Sequence, residues 1–268
     1  MSKYLAGFVG AGNMGGIIAS AVAKRIGHDA VAVCCSTEQS SENAAKRIGC
    51  AHSDIEEICE SRYVFLGIKP QMAQDVLPQV AAILENRTDD YIVVSMLAGV
   101  TLEQLIRLCG TERIIRIMPN TPAAVGEGMT LVCSCPAVSE DELTAFCDLI
   151  SYTGKTDIIP EKYFDASTAL SGCGPAYVYM FLEALADGAV KCGLPRSLAQ
   201  QYAASTVAGA SKLALLSDQH TSQLKDAVCS PGGSTIEGVM CLEKEGFRAS
   251  VMDAVCAAYE KSRNLGKK

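Results

Sequence analysis

The turn Gly10-Ala11-Gly12-Asn13-Met14-Gly15 constrains this chain more than any other feature. It follows a short apolar run at residues 5–9 and opens a helical pattern over 14–26, so it stands where a strand gives way to a helix. In that setting the three glycines have separate tasks. Gly10 permits a tight turn, Gly12 lets backbone N–H groups approach a pyrophosphate, and Gly15 lets helix and strand pack closely. Asn13 and Met14 open the helix, whose amino end offers unpaired donors and partial positive charge to a phosphate. Glycine-rich turns are common, but one set between a strand and a helix points to a βαβ unit that binds a dinucleotide.

The pattern beyond the turn agrees. Apolar, β-branched runs at 30–35, 63–68, 91–95 and 114–118 alternate with helical patterns at 38–48, 72–84 and 102–108. Such alternation predicts a parallel sheet. Two further strands, at 129–134 and 152–159, flank a helix over 140–150. Past Pro160 the periodicity is helical throughout. A helix follows Pro175, ends at Gly193, and another begins at Pro195, with Leu198, Tyr202, Thr206, Gly209, Leu213 and Leu216 on one face. Ala203, Ala204, Ala208 and Ala210 would let a neighbouring helix approach closely. A last helix over 247–264 turns Val251, Val255 and Ala258 inward. The expected fold is an α/β Rossmann domain over 1–160 and an all-α helical domain over 161–268.

Composition narrows the partners. The net charge is −7 and no basic stripe appears, which argues against a nucleic-acid surface. The longest apolar stretches fall short of the roughly 20 residues that span a bilayer. Residues 170–190 carry Pro175, Glu183 and Asp187, and read as a helix buried in a soluble protein. No basic segment followed by an apolar run opens the chain, so a cytoplasmic protein is expected. The 13 cysteines form no Cys-x-x-Cys pair and only three histidines accompany them. They read as small apolar fillers in a reducing compartment, with no metal site.

Dinucleotide type is read at the end of the second strand. NAD enzymes usually place an acidic residue there for the ribose 2′-hydroxyl. Here the strand ends Cys34-Cys35-Ser36-Thr37, with no acid before Glu38. Hydroxyls of Ser36 and Thr37, with Asn43 on the next helix, suit a 2′-phosphate, so NADPH is favoured. The turn has no arginine, which leaves NADH possible. Other strand ends should line the same crevice: Lys69 and Pro70, Ala98 and Gly99, and the turn Met118-Pro119-Asn120-Thr121-Pro122. The last is stiffened by two prolines and offers Asn120 and Thr121 to the nicotinamide ribose or carboxamide.

A second glycine segment, Cys229-Ser230-Pro231-Gly232-Gly233-Ser234-Thr235, lies in the helical half, and Ser171-Gly172-Cys173-Gly174-Pro175-Ala176-Tyr177 precedes it. Either could be a turn between helices. Gly232 and Gly233 nevertheless expose N–H groups at a helix start, with Ser230, Ser234 and Thr235 hydroxyls around them. That is a pocket of short neutral donors suited to a small carboxylate.

With these motifs in this order, the chain resembles the pyrroline-5-carboxylate reductase family almost end to end. The resemblance implies reduction of Δ1-pyrroline-5-carboxylate to L-proline with NAD(P)H, and a helical domain that forms an interlocked dimer, often built into a ring of dimers. It further implies that Ser230, Gly232, Gly233, Ser234 and Thr235 hold the substrate, an imine carboxylate, with Thr235 approaching the ring nitrogen as the catalytic residue. Cys173 stands where the family commonly has serine, and Ser234 where threonine or alanine is usual. Two other readings remain: a β-hydroxyacid dehydrogenase, for which Lys191 would have to serve as the catalytic lysine, and an NADP-binding sensor without turnover.

Overall fold

The computed structural model describes residues 3–265. β1 (Ala6–Val9) leads into α1 (Asn13–Ile26), β2 (Val31–Cys34) and α2 (Glu38–Ile48). Two elements that periodicity did not disclose come next, β3 (Ala51–His52) and α3 (Ile55–Cys59). β3 is too short to alternate, and α3 is one turn started by Asp54, whose carboxylate accepts the Glu57 N–H at 2.8 Å. The alternation then resumes through β4 (Tyr63–Leu66), α4 (Ala73–Leu84), β5 (Ile92–Ser95), α5 (Leu102–Cys109), β6 (Ile114–Met118), β7 (Gly128–Ser134), α6 (Glu140–Leu149) and β8 (Gly154–Ile158).

These strands form one sheet in the order β3-β2-β1-β4-β5-β6-β7-β8. All neighbours are parallel except β6 and β7, where Arg116 pairs with Cys133 and Met118 with Leu131 in antiparallel register. The expected parallel sheet is corrected at this point. Only a 3-10 turn, Thr121–Val125, lies between the two strands, too little chain for a crossover helix, so the strand must run back. The chain builds outward from β1 to β3 and then lays β4 on the other side of β1. That reversal opens a crevice at the carboxyl ends of β1 and β4, where open α/β sheets take ligands.

Both faces of the sheet are covered, which is why its central strands are apolar throughout. Phe8 and Phe65, partners in register, stack at 4.2 Å on one side with Phe146 beyond. Val9, Val64 and Leu66 enter the other side with Leu77, Val80 and Leu105.

After β8 come α7 (Phe164–Ser167), a π-helical turn (Thr168–Gly172), α8 (Gly174–Lys191), α9 (Arg196–Leu216), α10 (Thr221–Val228), α11 (Ser234–Lys244) and α12 (Phe247–Leu265). The chain forms two compact units. One runs to Cys173 and includes the end of α12 from Ala258, and the other spans Gly174–Ala257. This division differs from a cut at residue 160. Phe164 clusters with Met118, Leu131 and Cys133, and Glu161 pairs with the buried Arg116 at 2.7 Å, so the segment after Pro160 packs with the sheet.

Within the helical unit, α8 and α9 meet through small side chains: Ala186, Ala199 and Ala203 are buried. The large apolar residues lie outside. Met180 is 70% exposed, Leu213 58% and Leu216 77%, and Val251 is exposed as well. The expectation of a buried α8, and of an α12 turned inward at Val251, is therefore wrong for one chain. Alanine fits the close crossing of α8 and α9, whereas the bulky faces have no element of the unit to cover them.

Candidate functional site

The glycine turn is built as its spacing predicts. Gly10 has φ +92°, a left-handed conformation, and a Cβ there would lie 2.8 Å from the Gly67 backbone. A Cβ on Gly15 would collide with the Gly10 carbonyl oxygen, and so would one on Gly67. Gly67, directly after β4, is a part of the turn that the motif did not include. Its signal was a glycine at the end of the strand beside β1. Gly12 is different: a Cβ there would meet no atom within 4 Å. Packing does not require glycine at that position, and the open space lies at the amino end of α1.

That amino end has no side-chain cap. Side chains close the amino ends of α2, α3, α5, α6 and α10, whereas α1, α4, α7, α9 and α11 have none, and in α1 and α11 the capping position is a glycine. The first N–H groups of α1, around the exposed Gly12 and Asn13 and the half-buried Met14, are thus left for a ligand.

Beside the turn is a cavity of about 460 Å3 lined by Val9 and Gly10, by Cys34, Cys35, Ser36 and Thr37 after β2, and by Glu38, Ser53, Asp54 and Glu56. It has the location of the adenosine half of a dinucleotide, beyond the end of β2. Neither lysine nor arginine is among its described lining residues. Burial pushes the Cys34 thiol up to about 11, with Cys35 and the carboxylates of Asp54, Glu56 and Glu38 adding to the effect. Asp54 is engaged as the cap of α3, and Glu38 pairs with His52 at 3.2 Å on the surface, with Glu42 close by.

The hydroxyls at this end are not equivalent. Thr37 is the cap of α2: its hydroxyl accepts the Ser40 N–H at 3.2 Å and donates to Ser40 Oγ at 3.0 Å. Its only hydrogen is used, so the expected pair of donors reduces to Ser36. Asn43, exposed on α2, accepts from Gln39 at 3.4 Å and does not line the cavity.

Lys69 is exposed just before the turn begun by Pro70, and Gly99, after the half-buried Ala98, has φ +76°. Asn120 departs from expectation. It is 8% exposed, its amide donates to the Ser171 carbonyl at 2.9 Å, and its oxygen accepts the Met129 N–H at 2.9 Å. The side chain ties the end of β6 to β7 and to the π-helical turn. Its contribution is to hold that turn, while Thr121 next to it is exposed.

In the helical unit, Gly232 has φ +65°, and the Gly233 N–H closes onto the Ser230 carbonyl at 3.0 Å. The chain then enters α11, again with no side-chain cap at Gly233. Ser230, Gly232, Ser234 and Thr235 are exposed around this open end and Gly233 is half-buried. His220, the histidine nearest in sequence, is the cap of α10, accepting the Ser222 N–H at 3.2 Å.

Residues 6–99 match a family model described as NADP oxidoreductase, coenzyme F420-dependent, and residues 161–265 match one described as pyrroline-5-carboxylate reductase dimerisation. A pyrroline-5-carboxylate reductase of Pisum sativum is 42% identical over 98% of this chain and 96% of its own. That of Escherichia coli (strain K12) is 43% identical over 76% of this chain and 75% of its own. A solved structure of Plasmodium falciparum pyrroline carboxylate reductase with NADP bound is 34% identical and superposes with a TM-score of 0.88, covering 99% of each chain.

Proposed function

The chain belongs to the pyrroline-5-carboxylate reductase family, and from that premise we propose that it reduces Δ1-pyrroline-5-carboxylate to L-proline, the last step of proline biosynthesis, with NADPH as the preferred cofactor. One observation carries the reading beyond family membership. The helices that leave the two glycine segments, α1 and α11, have amino ends without a side-chain cap, so each has backbone donors for an anion. The pyrophosphate takes the first and the substrate carboxylate the second.

When bound, the cofactor supplies a hydride to the imine carbon. The chain's own contribution is positioning and electrostatics. Gly12, Asn13 and Met14 hold the pyrophosphate with N–H groups. The Ser36 hydroxyl receives the 2′-phosphate. Lys69, Pro70, Ala98, Gly99 and Thr121 border the path to the nicotinamide. The Ser234 N–H and the hydroxyl of Ser230 hold the substrate carboxylate, while the Gly233 N–H closes the turn onto the Ser230 carbonyl and shapes the loop around it. The Thr235 hydroxyl hydrogen-bonds the ring nitrogen, whose proton is already present in the iminium form of the substrate or comes from solvent as the carbon receives hydride.

The cavity carboxylates Glu38, Asp54 and Glu56 oppose a second phosphate, so the preference for NADPH over NADH is expected to be only a few-fold. In the β-hydroxyacid dehydrogenase reading, Lys191 beside Gly193 would have to be the catalytic lysine on a helix of the second unit. Lys191 is the last residue of α8 and exposed.

The active form is a homodimer or a ring of dimers. The outward Met180, Leu213, Leu216 and Met252 support it, because faces of this size are rarely left in water. Among the described residues, no helix is long and apolar enough to cross a membrane. The test is oxidation of NADPH, and in parallel of NADH, by the purified protein with Δ1-pyrroline-5-carboxylate. Turnover with proline as product is the expected result. NADPH binding without turnover would overturn the reaction and leave the cofactor assignment intact.

A further inference from the structure

Arg47 lies in the last turn of α2, thirty-odd residues beyond the glycine turn, and nothing in the motif announces it. Its Nη2 donates to the Ala11 carbonyl at 2.7 Å and approaches the Gly12 carbonyl at 3.4 Å. From these contacts we infer that Arg47 is the positioning residue of the dinucleotide turn, holding its amide donors toward the pyrophosphate. The inference rests on the cofactor reading above.

In a trans peptide the C=O and N–H groups point in opposite directions, and no peptide bond among the described residues is cis. The Ala11 carbonyl shares its plane with the Gly12 N–H, and the Gly12 carbonyl shares its plane with the Asn13 N–H. A guanidinium that draws both oxygens toward α2 turns both N–H groups away from α2. The Gly12 carbonyl is also drawn along α1, where it accepts the Gly16 N–H at 2.9 Å. Ala11 O has Arg47 as its close donor, so the first plane depends on the arginine. The positive charge behind the oxygens further polarises the two amides toward an anion.

Gly16 fits the same account. The motif needs only Gly10, Gly12 and Gly15, yet the chain has a fourth glycine directly after them. A Cβ at Gly16 would lie 2.6 Å from Arg47 Nη2. Its absence is what lets the guanidinium reach Ala11 across the first turn of α1. Gly16 itself is buried, whereas the Arg47 side chain comes to it from the exposed face of α2.

The test uses the full chain and reads cofactor binding directly, by the fluorescence of NADPH in titration, with no imine present. Arg47→Met keeps the stem and removes the fork, and its Kd for NADPH is expected to rise about tenfold, the loss carried by one charge-assisted hydrogen bond. The kcat at saturating cofactor and the KM for the imine should stay within about twofold of the parent. Gly16→Ala, which displaces the guanidinium without removing it, should raise the Kd in the same direction. Arg47→Lys, with charge but no fork, should fall between, and it carries the test if Arg47→Met does not fold.

A Kd within twofold of the parent in Arg47→Met would overturn the inference. So would a fall in kcat at saturating cofactor, which a turn that only orients the pyrophosphate does not produce. Because binding is read without substrate, a parent protein that binds NADPH but reduces no imine would sink the proposed reaction alone.

Discussion

At the scale of single residues, glycines of one motif separate by what surrounds them. Gly12 has open space where its side chain would be, and Gly15 has the Gly10 carbonyl. Gly12→Val should therefore abolish NADPH binding in a fluorescence titration while the melting temperature stays unchanged. Gly15→Ala should do the reverse first, lowering stability by about 1–3 kcal/mol through overpacking, measured by denaturant unfolding. Equal loss of stability in both would refute the placement of the phosphate at Gly12. The hydroxyls divide in the same way. Ser36→Ala should weaken NADPH more than NADH, whereas Thr37→Ala should cost about 1 kcal/mol of stability as a lost helix cap and little cofactor preference. In the second unit, Thr235→Ala should lower kcat by about a hundredfold, in the range of one lost transition-state hydrogen bond, with the Kd for NADPH unchanged. An unaltered rate would remove Thr235 from the mechanism.

At the scale of elements, legibility follows length and locality. The strands and helices around β1, β4 and β5 could be read because five or more residues of one pattern lie between turn residues. β3 and α3 could not, since two residues show no period and a single turn is defined by its cap at Asp54. The glycine turn was legible because its requirements are local: a positive φ at Gly10 and a close approach at Gly15. Gly67 and Arg47 act on the same turn from other elements, so spacing along the chain does not connect them to it. Asn120 illustrates the opposite error. Its place at a strand end read as a ligand contact, but Met129, nine residues on, and Ser171, fifty-one residues on, engage the oxygen and the nitrogen of its amide. The antiparallel β7 was hidden for a similar reason, because strand direction is set by the length and course of the connection, and its apolar pattern is the same either way.

At the scale of the molecule, the two units differ in how they are stabilised. The sheet unit has a deep core, and burial holds the thiols of Cys59, Cys109 and Cys133 up to about 12 against an ordinary value of 9.0. Between those pH values the unfolded chain releases thiol protons that the native unit retains. Stability from this source is complete below pH 9 and is lost as pH rises toward 12, at up to about 1.4 kcal/mol per pH unit for each thiol. Urea midpoints at pH 8 and pH 10 should show the decline, and Cys109→Ala should make it shallower. An equal slope in that variant would assign the decline to other groups.

The helical unit has mainly alanines inside. Leu213→Glu, on its outward face, should convert the proposed dimer to a monomer of 28.2 kDa by light scattering and abolish turnover. A variant that stays dimeric would move the interface elsewhere.

The uncapped start of α1 has a consequence for the protein's lifetime in a cell. On the cofactor placement proposed above, the pyrophosphate completes this helix, so occupancy adds RT ln(1 + [L]/Kd) to the folding free energy, about 2.7 kcal/mol at a hundredfold excess over Kd. Proteolysis that acts on the opened form slows by the same factor. The abundance of the enzyme is thereby expected to follow the total dinucleotide pool, because the oxidised and reduced forms present the same pyrophosphate to α1.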